Sequence, residues 1–381
     1  MKSKLKKMWP AAAASLVAFT SLLNAADDKM QSSTAMTRRG EGPNREINPA
    51  VNPRLEQAHD WYLTGSVLFW NSRQDGLDFA IESDFFVAGG AQILDESETK
   101  EPKHKWEVGF RAGVGYVFDH DGWDAYLNWT HFRNRTSRDE DADTTNSSEV
   151  LLALWSDTPT TAGHTLLAQE IETEWKLELD LIDLELGREF YTSKWLCIRP
   201  HMGVRGANIR QRYEIEYLGT SLDTLQTTSN VSDEVRMKNY FDGIGVRGGL
   251  NSMWTVGSGW SIYGNFAMSI LYGYFKTKVK EEIRPVINAA EIDVLELERH
   301  FRTSRAVLDL ALGLQYDHTF LHANTHLAVS LGWEHHMFFN QNQLWRVTKV
   351  ANAAGSGQNV FTSPHGDLST QGWTLTARLD F

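Results

Sequence analysis

Trp106-Glu-Val-Gly-Phe-Arg-Ala-Gly-Val-Gly-Tyr-Val-Phe118 places Trp106, Val108, Phe110, Ala112, Val114, Tyr116 and Phe118 at one parity and Glu107, Gly109, Arg111, Gly113, Gly115 and Val117 at the other. Successive side chains of a strand point to opposite faces, so this is a long strand with one large apolar face and one face of glycines and charges. A soluble sandwich strand alternates too, but rarely at this length with aromatics at its end. A strand with lipid on one side and a polar lumen on the other must look this way.

The pattern recurs. Ile244, Val246, Leu250 and Trp254 oppose Gly243, Gly245, Arg247, Gly249 and Asn251, and Trp260, Ile262, Phe266, Met268, Ile270 and Tyr272 oppose Ser261, Tyr263, Asn265 and Ser269. Leu308, Leu310, Leu312, Leu314 and Tyr316 oppose Asp309, Ala311, Gly313 and Gln315; Leu327, Val329, Leu331 and Trp333 oppose Ala328, Ser330, Gly332 and Glu334. Short connections at 120–122, 192–194, 257–259 and around 317–325 alternate strictly with long polar ones at about 71–104, 134–171, 214–238, 280–302 and 340–370. Short periplasmic turns and long external loops alternate in this manner.

The expected fold is therefore all-β, a transmembrane antiparallel up-and-down β-barrel with both ends periplasmic. Its strands fall near 61–70, 105–118, 123–133, 174–188, 195–212, 239–255, 260–277, 303–316, 326–339 and 372–381, which makes ten. Leu77, Phe79 and Ile81 alternate with Asp78, Ala80 and Glu82, and an extra strand there, with a partner in another loop, raises the number to twelve. Tyr116, Phe118 and Trp123, Phe190, Tyr191 and Trp195, Trp254 and Trp260, and Tyr316 sit beside the short turns, where amphipathic rings form an interfacial girdle. One segment changes phase: Trp175, Leu177, Leu179 and Leu181 share a parity, then Ile182, Leu184 and Leu186 take the other. That predicts a bulge near Leu181 and Ile182, or an upper half that rises above the membrane.

The chain ends in Gly372-Trp-Thr-Leu-Thr-Ala-Arg-Leu-Asp-Phe381. Trp373, Leu375, Ala377, Leu379 and the terminal Phe381 share one face, which resembles the signal read by the barrel-assembly machinery. Two further stretches are Asp180-Leu-Ile-Asp-Leu-Glu-Leu-Gly-Arg-Glu-Phe-Tyr191, continuing through Trp195, Arg199-Pro200-His201 and Gly203-Val-Arg-Gly206, and Leu331-Gly-Trp-Glu-His-His-Met-Phe-Phe-Asn-Gln-Asn-Gln-Leu-Trp345. With the end strand they resemble the major outer membrane protein family of Legionella-type and chlamydia-related bacteria, over most of 61–381. The resemblance implies a pore-forming surface barrel, in some members with a role in adhesion. The single Cys197 departs from the cysteine-rich, disulfide-linked chlamydial members.

Residues 1–25 read as a signal peptide: Lys2, Lys4, Lys6 and Lys7, then the 13-residue apolar run Ala11–Leu23, then Leu23-Asn24-Ala25, with cleavage after Ala25. Its loss takes the formal charge from −12 to −16 through four lysines, a poor balance for nucleic-acid binding. Residues 26–60, with Pro43, Pro49 and Pro53 and few large apolar side chains, read as a flexible periplasmic lead-in, and 61–381 as the barrel. Cys197 is alone, so no intramolecular disulfide forms; it reads as a buried or lumen-facing thiol, with an intermolecular bridge as the alternative.

The phase of the strands puts Glu107, Arg111, Asp124, Arg199, Arg205, Arg247, Asp309, Glu334 and Arg378 inside, together with Asp183, Glu185 and Asp380. Five positive charges face seven negative ones, so they either pair and close the barrel or line a water-filled constriction. His335 and His336 point to opposite faces, which argues against a shared metal ion and for girdle or loop-end positions. Ser148-Glu-Val-Leu-Leu-Ala-Leu-Trp155 is apolar for a loop and either folds inward and narrows the pore or packs on the loop cluster or against a neighbouring barrel; Arg138-Asp-Glu-Asp-Ala-Asp143 reads as a solvated tip. No acid, base and nucleophile set converges, so the expectation is no enzyme, no metal and no cofactor. The function expected is passive diffusion of small hydrophilic solutes, with a closed structural or adhesive surface barrel as the alternative. Expected partners are outer-membrane lipid, the barrel-assembly machinery and those solutes; self-association into a homo-oligomer is left open.

Overall fold

The computed structural model describes residues 60–88, 91–118, 122–142, 149–156, 165–222, 228–285, 292–320, 325–350 and 358–381. The signal peptide and most of the lead-in expected before Trp61 lie outside the described residues. Sixteen strands follow in order: β1 (Trp61–Gln74), β2 (Ala80–Ala88), β3 (Ala91–Lys100), β4 (Trp106–Val117), β5 (Trp123–Asp141), β6 (Glu149–Ala153), β7 (Thr165–Arg188), β8 (Phe190–Tyr191), β9 (Leu196–Leu222), β10 (Thr228–Gly257), β11 (Trp260–Pro285), β12 (Ile292–Phe320), β13 (Thr325–Phe338), β14 (Arg346–Val350), β15 (Gln358–Thr362) and β16 (Leu368–Asp380).

Ten of them close a barrel. β1, β4, β5, β7, β9, β10, β11, β12, β13 and β16 pair antiparallel in that circular order, and β1 meets β16 with Leu63 opposite Leu379 and Phe69 opposite Trp373. The segment expected to add a barrel strand does not enter the ring. β2 pairs with β3 and β6, and β6 with β7, so this small sheet hangs from the wall's upper edge. The ring therefore has ten strands, not twelve.

The lower part of the wall is inside-out relative to a soluble protein. Val108, Leu312 and Ile244 are 64%, 65% and 67% exposed on the outer face, where lipid covers them. On β10 this apolar band runs from Ile244 to Val256, 13 residues. At ~3.4 Å per residue and a tilt of ~40° it stands about 30 Å tall, the thickness of a hydrocarbon core.

Above the band the polarity reverses without any break in register. β7 pairs continuously with β5 and β9 from Ile171 down to Gly187, so no bulge stands at Leu181 and Ile182. Trp175, Leu177, Leu179 and Leu181 point inward like Asp183 and Glu185 below them, while Glu174, Lys176, Glu178 and Asp180 point outward. Leaving lipid exchanges which face must be apolar; the strand itself simply continues. For the same reason 214–222, 228–238, 280–285 and 292–302, expected as loops, are strand. Arg138 to Asp141, expected as part of a loop tip, belong to β5.

The wall is uneven. β5, β7 and β9 to β12 rise high, whereas β13 stops at Phe338, β16 begins at Leu368, β1 stops at Gln74 and β4 begins at Trp106. Over this low side residues 75–79 and 339–345 turn into the lumen. Tyr213 on β9 donates to the Leu77 carbonyl (2.8 Å), Tyr217 to that of Phe79 (2.8 Å), and Asn239 on β10 to that of Gln341 (2.8 Å). Around these bonds Trp70, Phe79, Phe132, Trp175, Phe241, Phe275, Phe338 and Leu344 form a water-excluding core. Burial of each large side chain contributes about 1.5–3 kcal/mol. Trp155 joins it, its indole donating to the Asp78 carbonyl (2.7 Å), and Leu151 is buried beside it. Leu151 and Trp155 of the apolar stretch thus reach inward from the upper sheet.

Candidate functional site in the barrel lumen

Below the apolar core the lumen changes character, because the outer face is now in lipid and the polar side chains of each strand have only the inside to go to. They meet in a network that spans the barrel. Arg111 of β4 donates two bonds to Glu334 of β13, at 3.0 and 2.9 Å, and a third to Thr130 (2.9 Å). His336, two residues on from Glu334, sets Nε2 3.2 Å from that carboxylate and Nδ1 2.7 Å from Asp309 of β12. Asp309 also receives Arg205 of β9 (2.8 Å) and Arg247 of β10. Arg205 holds Asp183 of β7 through two bonds, at 2.6 and 2.8 Å, and Arg247 donates to Glu185 (2.9 Å). Arg199 completes the lower edge, donating to Asp124 of β5 at 2.6 and 2.9 Å with Glu185 3.5 Å away.

Four guanidiniums thus face five carboxylates, with His336 set between two of them. Each buried charge has an opposite partner, the condition for keeping ions out of bulk water. The arginines' planar forks suit this, since each can hold two acceptors at once.

Beneath and around the network lies a cavity of about 350 Å³. It is lined by the network, by hydroxyl and amide side chains such as Thr64, Ser66, Tyr126, Asn128 and Asn265, and toward the short turns by Gln315, Asp317, His326 and Arg378. The tyrosines are set by glycines: the rings of Tyr62 and Tyr126 stack 5.7 Å apart over Gly113 and Gly115, and Tyr62 donates to Asp124 (3.0 Å).

Of the residues expected inside, Arg111, Arg199, Arg205, Arg247, Asp309 and Glu334 line this cavity, and Asp124 sits behind it, bonded to Arg199 and Tyr62. Arg378 lies at the lower rim, bonded to its neighbour Asp380 (2.7 Å) with its guanidinium 3.9 Å above the Tyr62 ring. Glu107 shares the parity of Arg111 but stands higher, opposite Trp70 in the register, and does not line the cavity. His336 was expected in the girdle or at a loop end; it is buried at the centre of the network. Its parity with Glu334 is the signal that places it there. His201 also lines the cavity, with Nε2 3.7 Å from Glu185. Cys197 is a buried free thiol that donates to Glu189 (3.3 Å). Among the described residues no cluster of three or more His, Cys, Asp or Glu has the arrangement of a metal site.

Chemically, this interior offers ionised, hydroxyl and amide side chains around a cavity in its lower part and an apolar core in its upper part. Comparison with known proteins bears on the family. A family model described as the Legionella pneumophila major outer membrane protein precursor matches residues 52–381. No curated protein matches the sequence. Among solved structures the outer membrane protease OmpT from Escherichia coli is 10% identical, over 85% of this chain and 97% of that one, with a TM-score of 0.36. A Pseudomonas aeruginosa FadL homologue is 9% identical over 84% and 90%, with a TM-score of 0.28. The P. putida toluene transporter TodX is 6% identical over 84% and 90%, with a TM-score of 0.21. These are distant likenesses that carry nothing about activity. A closed ten-stranded wall with an apolar outer band and a family match over 52–381 together mean that this chain is an outer-membrane β-barrel, and it belongs to the Legionella major outer membrane protein family.

Proposed function

We propose that the barrel is shut at rest and acts as a structural and adhesive surface element, its tall extracellular wall and loops meeting host or cell-surface partners. The observation that supports this is the filled upper lumen. Tyr213 and Asn239 on one side are bonded to Leu77 and Gln341, which enter from the other, and Gln211 of β9 donates to Gln74 of β1 directly across the barrel (2.9 Å). Among the described residues the space between these bonds is taken up by the apolar core around them, which favours a barrel closed to hydrated solutes.

A gated porin for small hydrophilic solutes is the second reading, and the cavity favours it. This molecule fills its upper interior with apolar side chains, yet the lower half keeps ionised groups around about 350 Å³. Burying those ions carries a desolvation penalty that a mere plug would avoid. In this reading residues 75–79 and 339–345 swing aside, and Arg111, Arg199, Arg205 and Arg247 set the charge preference. Single-channel recording of the refolded barrel in a planar bilayer separates the two: silence supports the closed barrel, and discrete, reproducible steps overturn it in favour of the porin.

We infer export by the N-terminal signal, cleavage after Ala25, and insertion through the face Trp373, Leu375, Ala377, Leu379 and Phe381. N-terminal sequencing of the outer-membrane form tests the cleavage site. We assign no catalytic role.

A further inference from the structure

Five cations stand side by side on the outer face of the extracellular wall. Arg135 of β5 is opposite Lys176 of β7 in the register, Lys176 opposite Arg212 of β9, Arg212 opposite Lys238 of β10, and Lys238 opposite Lys278 of β11. At ~4.8 Å between strands the row is about 20 Å long. Like charges directly opposite one another destabilise a sheet. The rung nearer the membrane avoids this, with Arg133 against Glu178 and Glu178 against Arg210.

Carboxylates cover the ends of the row and leave its middle bare. Glu174 pairs with both Arg135 and Lys176, and Glu296 with Lys278. Arg212 donates to the Tyr240 hydroxyl (3.1 Å) and, among the described residues, pairs with no carboxylate; Lys238 is exposed and has no side-chain partner among them. Within the row, therefore, two adjacent cations, Arg212 and Lys238, stand opposite each other without a carboxylate paired to either among the described residues.

Its height says what can neutralise it. Lys176 lies six residues beyond Ile182 on β7, and Lys238 six beyond Ile244 on β10, the last apolar positions of the lipid-facing band on each strand. Six residues at the strand's rise and tilt are about 15 Å. The surface next to an outer-membrane barrel at that level is the head region of the outer leaflet, which is rich in phosphate.

We propose that the row Arg135, Lys176, Arg212, Lys238 and Lys278 binds the phosphate groups of the outer leaflet's phosphorylated glycolipid, lipopolysaccharide, with Arg212 and Lys238 as the central contacts. The Arg212 guanidinium can take two phosphate oxygens in its fork, while Lys238 supplies a mobile point charge. A bound phosphate removes the repulsion along the row and ties the wall to its annular lipid. The site stands whether or not the lumen conducts.

The test uses the full mature chain refolded in detergent and purified rough lipopolysaccharide, with affinity measured by titration and the heat-modifiable gel shift as the check of folding. The double reversal R212E/K238E is expected to weaken binding roughly tenfold or more, and the mild K238Q a few-fold. Chemically dephosphorylated lipopolysaccharide is expected to lose about as much on the unaltered protein. The control Lys194→Glu, a charge reversal on an exposed lysine in the short turn at the opposite end of the barrel, is expected to bind as the unaltered protein does. Unchanged affinity in both K238Q and R212E/K238E, an equal loss in the control, or equal binding of the dephosphorylated lipid overturns the proposal. Displacement by inorganic pyrophosphate at matched phosphate concentration assigns the row to a soluble ligand and overturns the glycolipid as well.

Discussion

Arg111 and Glu334 reach toward each other over the two intervening strands β1 and β16 and share two parallel bonds of 3.0 and 2.9 Å. This chord brings together strands that never pair with each other, and His336 and Asp309 extend it toward β9 and β10. The lumen is thus braced by charge where it is wet and by apolar packing where it is dry.

Removing one end of that chord leaves the other as an uncompensated buried charge. Glu334→Gln is expected to lower stability by about 3 kcal/mol, whereas Arg111→Met with Glu334→Met recovers most of it, because neither ion then remains. Urea titration of the refolded barrel, read by the fraction of heat-modifiable band, checks both. Equal losses in the single and double variants would mean that the pair contributes shape and not charge balance.

Gly115 is where the barrel has no room for a methyl group. A Cβ there would stand 1.9 Å from Tyr62 Cζ, so Gly115→Ala must push the ring away from Tyr126 and break its bond to Asp124. A cost of about 1–3 kcal/mol is expected, with loss of near-ultraviolet tyrosine dichroism. Gly65→Ala on the lipid face, where nothing lies within 4 Å of the added atom, is the matched control and should be near neutral.

The lower barrel was legible because one physical rule, apolar outside and polar inside, holds over every membrane-spanning strand. Arg111, Arg205, Arg247 and Asp309 fall on the lumen by parity alone. The upper wall was not legible for the same reason. Beyond Ile182 and Ile244 the rule inverts, so charged outward positions such as Glu214, Glu216 and Glu296 imitate loops although their inward neighbours Tyr213, Ile215 and Tyr217 are core. The phase change at Leu181 was the visible trace of that inversion, and an extended upper half accounts for it where a bulge does not. The alternation of Leu77, Phe79 and Ile81 marked that stretch as strand-like but not its inward path, and 339–345 had no periodic signal, since both inward turns depend on single bonds such as Tyr213 to Leu77 made far along the chain.

The last strand makes a prediction about assembly. Phe381 donates its backbone N–H to the Trp61 carbonyl (3.1 Å), and its ring is partly exposed at the lower edge, so the side chain contributes little to the finished barrel. Phe381→Ala is expected to reduce outer-membrane yield in cells several-fold while shifting the stability of refolded protein by less than about 1 kcal/mol. Comparison of membrane-fraction abundance with urea midpoints checks this. An equal loss in refolded stability would place the role of Phe381 in the fold and not in recognition during insertion.

The carbonyls of Leu77 and Gln341 test whether the lumen can open. Tyr213→Phe and Asn239→Ala each remove the donor that holds an inward segment, leaving a carbonyl without its partner at a cost of about 1–2 kcal/mol. Both together lower the cost of displacing the two segments by about 3 kcal/mol, which multiplies the population of any displaced state by roughly a hundred. A barrel whose apolar core closes it permanently stays silent in a bilayer even then, and only its urea midpoint falls; that is the outcome expected here. Conductance that appears in the double variant, at a rate above that of the unaltered protein, would instead make these bonds the latch of a channel. The cavity around Arg205 and Arg247 would then be its inner vestibule, because closure that yields to two missing hydrogen bonds is a gate.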